Sequence, residues 1–234
     1  MENIHENGTF QLHNKVEIPQ VGFGTWQMPD GETAADAVMH AIEAGYTHID
    51  TAVYHNEIGV GAGIRMSGVP REKLFVTSKL WNDVRGYEET LKAFDASLKR
   101  LALDYLDLYY CHRYDENTDL EETLRAMSDL VAQGKVLYYG VSEEWGSARI
   151  GEAQKIIDKL GLYPISVIQP QYNMVDRYIE HEIMGTCRKY GIGITSFSPL
   201  SQGLLTGKYK KGQPYPEGSR ATHQADRQIN DLLT

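Results

Sequence analysis

LFVTSKLWNDVRGYEETLKAFDASLKRLALDYLDLYYC, residues 74–111, holds one complete repeat of the chain. Its two ends, 74–80 and 105–111, are short apolar runs of the length and composition of strands. Between them Leu91, Phe94, Leu98 and Leu101 recur at spacings of three and four, which gives a helix over 87–101 one apolar face. A strand, a helix and a second strand at this interval imply parallel strands joined by a helical crossover. The run YLDLYYC is nearly continuous in apolar residues, as expected when helices cover one face of a strand and a packed interior covers the other.

The same alternation extends in both directions. Strands are predicted over 21–25, 47–52, 136–141, 166–171 and 193–197, with helices over 32–44, 57–67, 120–133, 147–159 and 178–190. Residues 10–12 and 16–18 flank the polar turn 13–15 and predict a small hairpin ahead of the repeat. The pattern is that of an α/β chain folded as a TIM (β/α)8-type barrel with an N-terminal β-hairpin. Seven strands can be counted, so the expectation is one domain over 1–234 that is truncated before strand 8. Residues 201–220, rich in Gly, Pro and Lys, read as a long loop, and 225–233 could begin a seventh crossover helix.

A formal charge of −9 argues against nucleic acid or an anionic membrane as the main partner. No apolar run approaches membrane-spanning length, and MENIHENG lacks the apolar core of a signal peptide, so a cytoplasmic location is expected. The two cysteines, Cys111 and Cys187, lie far apart without metal-ligand spacing, so free thiols are expected and no metal site.

The chemistry concentrates at predicted strand ends. GYTHIDTAVYHNE, residues 45–57, presents Asp50, Tyr54 and His55 just after a strand; VTSKLWN contributes Lys79, and DLYYCHRYD contributes His112. Catalytic groups of such barrels sit at the C-terminal ends of the strands. In this order, Asp50, Tyr54, Lys79 and His112 resemble the catalytic set of the aldo-keto reductase family, and the resemblance covers almost the whole chain. It implies reduction of an aldehyde or ketone by NADPH. Tyr54 would give the proton, Lys79 would ease its release, Asp50 would hold Lys79 charged, and a neutral His112 would bind the carbonyl oxygen. Family members usually carry two residues between Asp-Thr-Ala and the tyrosine, whereas only Val53 separates Ala52 from Tyr54 here. Counting back from Asn56 and Glu57 keeps Tyr54 as the acid; counting forward from Asp50 would select His55.

The resemblance also implies a cofactor site built from Gly24, Thr25, Trp26 and Asp50, with Ser142 and Gln169 on the nicotinamide carboxamide and Phe197 stacked on its ring. Ser198, Leu200, Ser201, Gly203 and Lys208, within SFSPLSQGLLTGKY, would cover the pyrophosphate. Trp26, Trp81 and His112 would wall the substrate pocket. Gly59, Gly61 and Gly63 imitate part of a dinucleotide fingerprint but lie inside a predicted helix, and read as close helix packing.

From His112 onwards HRYDENTDLEETLRAMSDLVAQGKV is more similar to the branch of potassium-channel β-subunits and glyceraldehyde-3-phosphate reductases, while the first half is similar to small bacterial reductases. A recombined or engineered chain is one explanation of that switch. The partner expected is a small carbonyl substrate. The alternative class is a non-catalytic nicotinamide-binding or interaction subunit, or an inactive truncated barrel.

Overall fold

The computed structural model describes residues 8–12, 15, 17–52, 56–84, 86–142 and 144–223. An antiparallel hairpin comes first, β1 (Thr9–Gln11) against β2 (Glu17–Pro19), with Phe10 opposite Ile18. Seven strands of a parallel sheet follow among the described residues: β3 (Gly22–Gly24), β4 (His48–Asp50), β5 (Phe75–Leu80), β6 (Leu106–Cys111), β7 (Val136–Ser142), β8 (Val167–Gln169) and β9 (Gly193–Ile194). Their order in the sheet is their order in the chain. The crossovers are α1 (Glu32–Glu43), α2 (Glu57–Met66), α3 (Tyr87–Leu101), α4 (Leu120–Ala132), α5 (Ser147–Leu160) and α6 (Ile183–Tyr190), with a short α7 (Arg220–His223) after β9. Glycines of β3 and β9 line one cavity, so the sheet curls until its two ends face each other. This is the α/β barrel expected from the sequence.

The period of two along each strand separates two apolar layers. Phe75, Leu108, Tyr110 and Val167 point into the barrel, where Ile18 of the hairpin packs on them from below. Their neighbours Val76, Tyr109 and Ile168 point outward and meet helix residues such as Phe94, Leu124 and Ile150. Phe94 meets Tyr109 edge to face at 4.8 Å, a geometry worth about 0.5–1.5 kcal/mol beyond the buried area. At the lower end of the barrel Asp107 accepts from Arg71 (2.6 Å) and from the Val76 amide (2.8 Å), tying β6 to β5.

Several boundaries differ from expectation for physical reasons. The hairpin strands pair about Phe10 and Ile18, so β1 starts at Thr9 and β2 ends at Pro19. The sixth barrel strand was expected over 166–171; Pro170 has no N–H for the ladder, so β8 stops at Gln169 and one isolated bridge, Gln171 with Phe197, resumes the pairing. The helix expected over 178–190 is broken. Tyr178–Glu180 form a 3₁₀ turn in which Glu180 accepts from Arg177 (2.7 Å) and Tyr172 (2.6 Å), and the chain opens at Glu182 (φ −145°) before α6. The loop expected over 201–220 contains a 3₁₀ segment, Ser201–Thr206. The helix expected over 225–233 lies outside the described residues. Among the described residues no helix is long and apolar enough to cross a membrane, and Cys111 and Cys187 are buried free thiols.

Candidate active site

Parallel pairing sets which side chains meet at the C-terminal mouth. Asp50 is in register with Thr77, so Lys79, two residues further along β5, stands on the same inward face one step higher. Lys79 is in turn level with Tyr110, and Ser142 with Gln169. Lys79 Nζ donates to Asp50 Oδ1 and to the Thr51 carbonyl at 3.1 Å. Gln169 Nε2 donates to the other oxygen, Asp50 Oδ2, at 2.6 Å. The carboxylate is therefore held from both sides, with Asp50 and Lys79 side chains only 16% and 10% exposed. Beneath them the Tyr110 ring lies 5.9 Å from the ammonium, and its hydroxyl bonds Thr195 Oγ1 at 2.8 Å. Ser142 Oγ donates to the Gln169 carbonyl at 2.9 Å and steadies that strand end.

His112 follows β6 directly. Burial, then the Lys79 and Arg113 cations, lower its pKa to about 4 against the opposing pull of Asp50, so the ring is neutral at physiological pH. Its Nδ1 lies 2.9 Å from Asn82 Oδ1. That contact decides the tautomer. With Asn82 Oδ1 facing it, Nδ1 carries the proton and Nε2 accepts; with the amide turned over, Asn82 Nδ2 donates to Nδ1 and Nε2–H can donate to a ligand. Trp81 stacks on His112 (5.5 Å) and Trp26 on Trp81 (6.0 Å), forming a three-ring wall. Trp26 is 52% exposed and so is a wall residue, not a core residue.

A cavity of about 1310 Å³ opens at this mouth and continues between β3 and β9. Asp50, Lys79, His112, Gly24, Thr25, Trp26, Trp81, Ser142, Gln169, Phe197 and Ser198 all line it. Leu200, Ser201, Gly203 and Lys208 do not: Ser201 is folded under the loop at 5% exposure, and the Lys208 side chain lies across Gly203. Ser198, Ser201 and Gln202 take left-handed φ of 51°, 47° and 54° without being glycine, and Asn173 holds the loop through the Ser198 carbonyl (3.1 Å). Strain of this kind gathers at ligand-binding segments. Tyr54 and His55 lie outside the described residues, as do Val53 and Glu143.

Among the lining residues that the sequence analysis did not single out are Gln202 and Arg220. Arg220 Nη2 donates to Gln27 Oε1 at 2.9 Å, bringing the chain after β9 to the loop after β3. Neither has a periodic or motif signal. Asn56 also lines the cavity, and the pair Asn56-Glu57 served only to place Tyr54. The glycines of α2 pack as expected: a Cβ at Gly59 would meet the Gly31 carbonyl at 2.6 Å, at Gly61 the Leu101 carbonyl at 2.1 Å, and at Gly63 the Ala35 carbonyl at 2.4 Å.

The model of the aldo/keto reductase family matches residues 20–233. Glyoxal reductase of Bacillus subtilis (strain 168) is 41% identical over 201 residues, which cover 84% of this chain and 69% of that protein. The Oryza sativa subsp. japonica protein named "Probable voltage-gated potassium channel subunit beta" is 35% identical over 221 residues, 88% of this chain and 67% of that one. A solved structure of a Bombyx mori aldo-keto reductase in complex with NADP is 31% identical with a TM-score of 0.73, covering 95% of this chain and 76% of its own. Both branches anticipated from the sequence are thus present among its relatives. Each match extends over both halves of the chain. The chain belongs to the aldo/keto reductase family of NAD(P)-dependent oxidoreductases.

Proposed function

We propose that the protein reduces an aldehyde or ketone to the alcohol with NADPH, taking the proton from Tyr54. The observation that carries this reading is the convergence of Asp50, Lys79, Gln169 and His112 on one cavity at the C-terminal ends of β4, β5, β8 and β6. Ser142 and Gln169 offer polar groups for the carboxamide, and Phe197 lines the same wall for the ring. The strained loop at Ser198–Gln202 and Arg220, which lines the same cavity, support the phosphates being held there. The choice of NADPH over NADH follows the Bombyx mori relative, whose structure holds NADP.

When bound, the nicotinamide supplies the hydride that adds to the carbonyl carbon. The chain's own groups handle the charge that this creates. His112 is neutral at physiological pH and would donate to the carbonyl oxygen through Nε2 once the Asn82 amide is turned so that Nδ2, in place of the Oδ1 now 2.9 Å away, faces Nδ1. Tyr54 completes the alcohol by giving up its phenolic proton, which a tyrosine with an ordinary pKa of about 10 holds too tightly at neutral pH. The Lys79 ammonium stabilises the phenolate left behind, and Asp50 keeps that ammonium aimed. Water then returns the proton to Tyr54.

Purified protein mixed with NADPH and a reactive aldehyde should lose nicotinamide absorbance in proportion to enzyme. Binding of NADPH without that loss would make the chain a nicotinamide-binding module instead.

A further inference from the structure

Asn56 stands at the N-cap of α2, a position where asparagine is among the best residues because its side chain can accept from the helix's own first amides. It does not do so. Asn56 makes no side-chain capping bond, and the Gly59 amide that it would have satisfied is taken by Asp30 Oδ1 from the loop before α1, at 2.7 Å. The Asn56 amide is turned into the barrel mouth, 2% exposed, and all four of its hydrogen-bonding positions are used. Oδ1 accepts from Thr51 Oγ1 (2.8 Å) and Thr25 Oγ1 (3.1 Å); Nδ2 donates to the carbonyls of Thr25 (2.7 Å) and Met28 (3.0 Å).

These contacts have one geometric effect. Thr51 follows Asp50 directly and its carbonyl receives Lys79, while the Thr25 amide donates to the Asp50 carbonyl at 3.0 Å. Thr25 and Met28 also flank Trp26, the outer ring of the aromatic wall. One buried amide therefore joins Thr51, next to the Asp50–Lys79 pair, to the Thr25 and Met28 carbonyls on either side of Trp26.

We infer that Asn56 is a positioning residue for the Asp50–Lys79 pair, acting through Thr51, from whose hydroxyl it accepts a hydrogen bond and whose carbonyl receives Lys79. The inference rests on the reductase reading above. It predicts loss of rate without loss of cofactor, because displacements of about 1 Å can cost on the order of 100-fold in turnover.

The test compares wild type with Thr51→Val, Thr51→Ser and Asn56→Asp, using NADPH and 4-nitrobenzaldehyde. Thr51→Val should lower kcat about tenfold or more and raise the primary isotope effect with 4-deuterated NADPH, while the NADPH dissociation constant stays within about twofold. Thr51→Ser, which keeps the hydroxyl, should restore kcat to within about twofold, and Asn56→Asp should lose about 100-fold. Unchanged kcat and isotope effect in Thr51→Val, or failure of Thr51→Ser to rescue, would overturn the inference. Amide hydrogen exchange on the cofactor-free proteins separates it from the parent reading. Loss of one buried hydrogen bond in Thr51→Val should speed exchange of the Asn56 and Glu57 amides about tenfold. If wild type shows no turnover, the reductase reading fails, and unchanged exchange in Thr51→Val would then overturn the positioning role as well.

Discussion

Gln169 donates to Asp50 across the barrel mouth at 2.6 Å, joining residues 119 positions apart in the chain. With Lys79 on the opposite oxygen, the Asp50 carboxylate has a donor on each side and one orientation. Gln169→Met keeps the side-chain length and removes the donor, so Asp50 can rotate off Lys79; kcat should fall about tenfold. Gln169→Glu should be worse, because it sets two carboxylates in contact. Its destabilisation of about 1–3 kcal/mol should shrink on acidification, as a shared proton relieves the repulsion. Urea denaturation at neutral and acid pH measures this, and a deficit independent of pH would show that the carboxylates do not meet.

Tyr54→Phe removes the proposed proton. Turnover should fall by at least about 100-fold, the usual scale for a lost general acid, with NADPH binding intact. His55→Ala provides the opposing arm. If Tyr54→Phe kept full activity and His55→Ala were inactive, the proton donor would be His55.

The barrel was legible because its strands and helices carry their own periodicity. Helix α3 spans Tyr87–Leu101, the range predicted with the apolar spacing of Leu91, Phe94, Leu98 and Leu101. Asp50, Lys79 and His112 were legible because strand ends in this architecture converge by construction. What escaped was whatever depends on long-range contacts rather than period. Nothing local tells that Asn56 abandons its helix, that Asp30 caps α2 in its place, or that Arg220 returns to Gln27. The break before α6 was hidden for the same reason. Ile179 and Ile183 fit one helical face, while the bonds from Tyr172 and Arg177 to Glu180 accompany the 3₁₀ turn that interrupts it.

His48 and His112 make stability depend on pH. Burial lowers His48 to about 4, and burial with the Lys79 and Arg113 cations does the same for His112, whereas an exposed imidazole titrates near 6.5. Between those values the unfolded chain binds more protons than the folded one, so stability falls as pH drops from 6.5 towards 4 and is whole above 6.5. His48, 5% exposed and bonded to Thr77 Oγ1 at 3.0 Å, should account for a loss of about 2 kcal/mol by roughly pH 4.5. His48→Gln should flatten that slope. An NMR titration should find the His112 ring neutral at pH 6, and a midpoint near 6.5 would contradict its assignment as a neutral donor.

The glycines of α2 separate packing from backbone propensity. A Cβ at Gly61 would lie 2.1 Å from the Leu101 carbonyl, a backbone atom at the end of α3 that cannot swing aside. Gly61→Ala should therefore destabilise by about 3 kcal/mol or leave the chain unfolded, although alanine is the better helix former. Gly185 is the control. It lies within α6 with nothing within 4 Å of an added Cβ, so Gly185→Ala should stabilise by about 0.5–1 kcal/mol. Because α2 begins immediately after the segment carrying Tyr54, the same contact should reach the reaction. A folded Gly61→Ala protein would have to move α2 off α3, and its kcat should fall even where NADPH still binds. Denaturant midpoints for the two variants decide the packing claim: shifts of opposite sign and of the expected sizes support it, and a harmless Gly61→Ala refutes it.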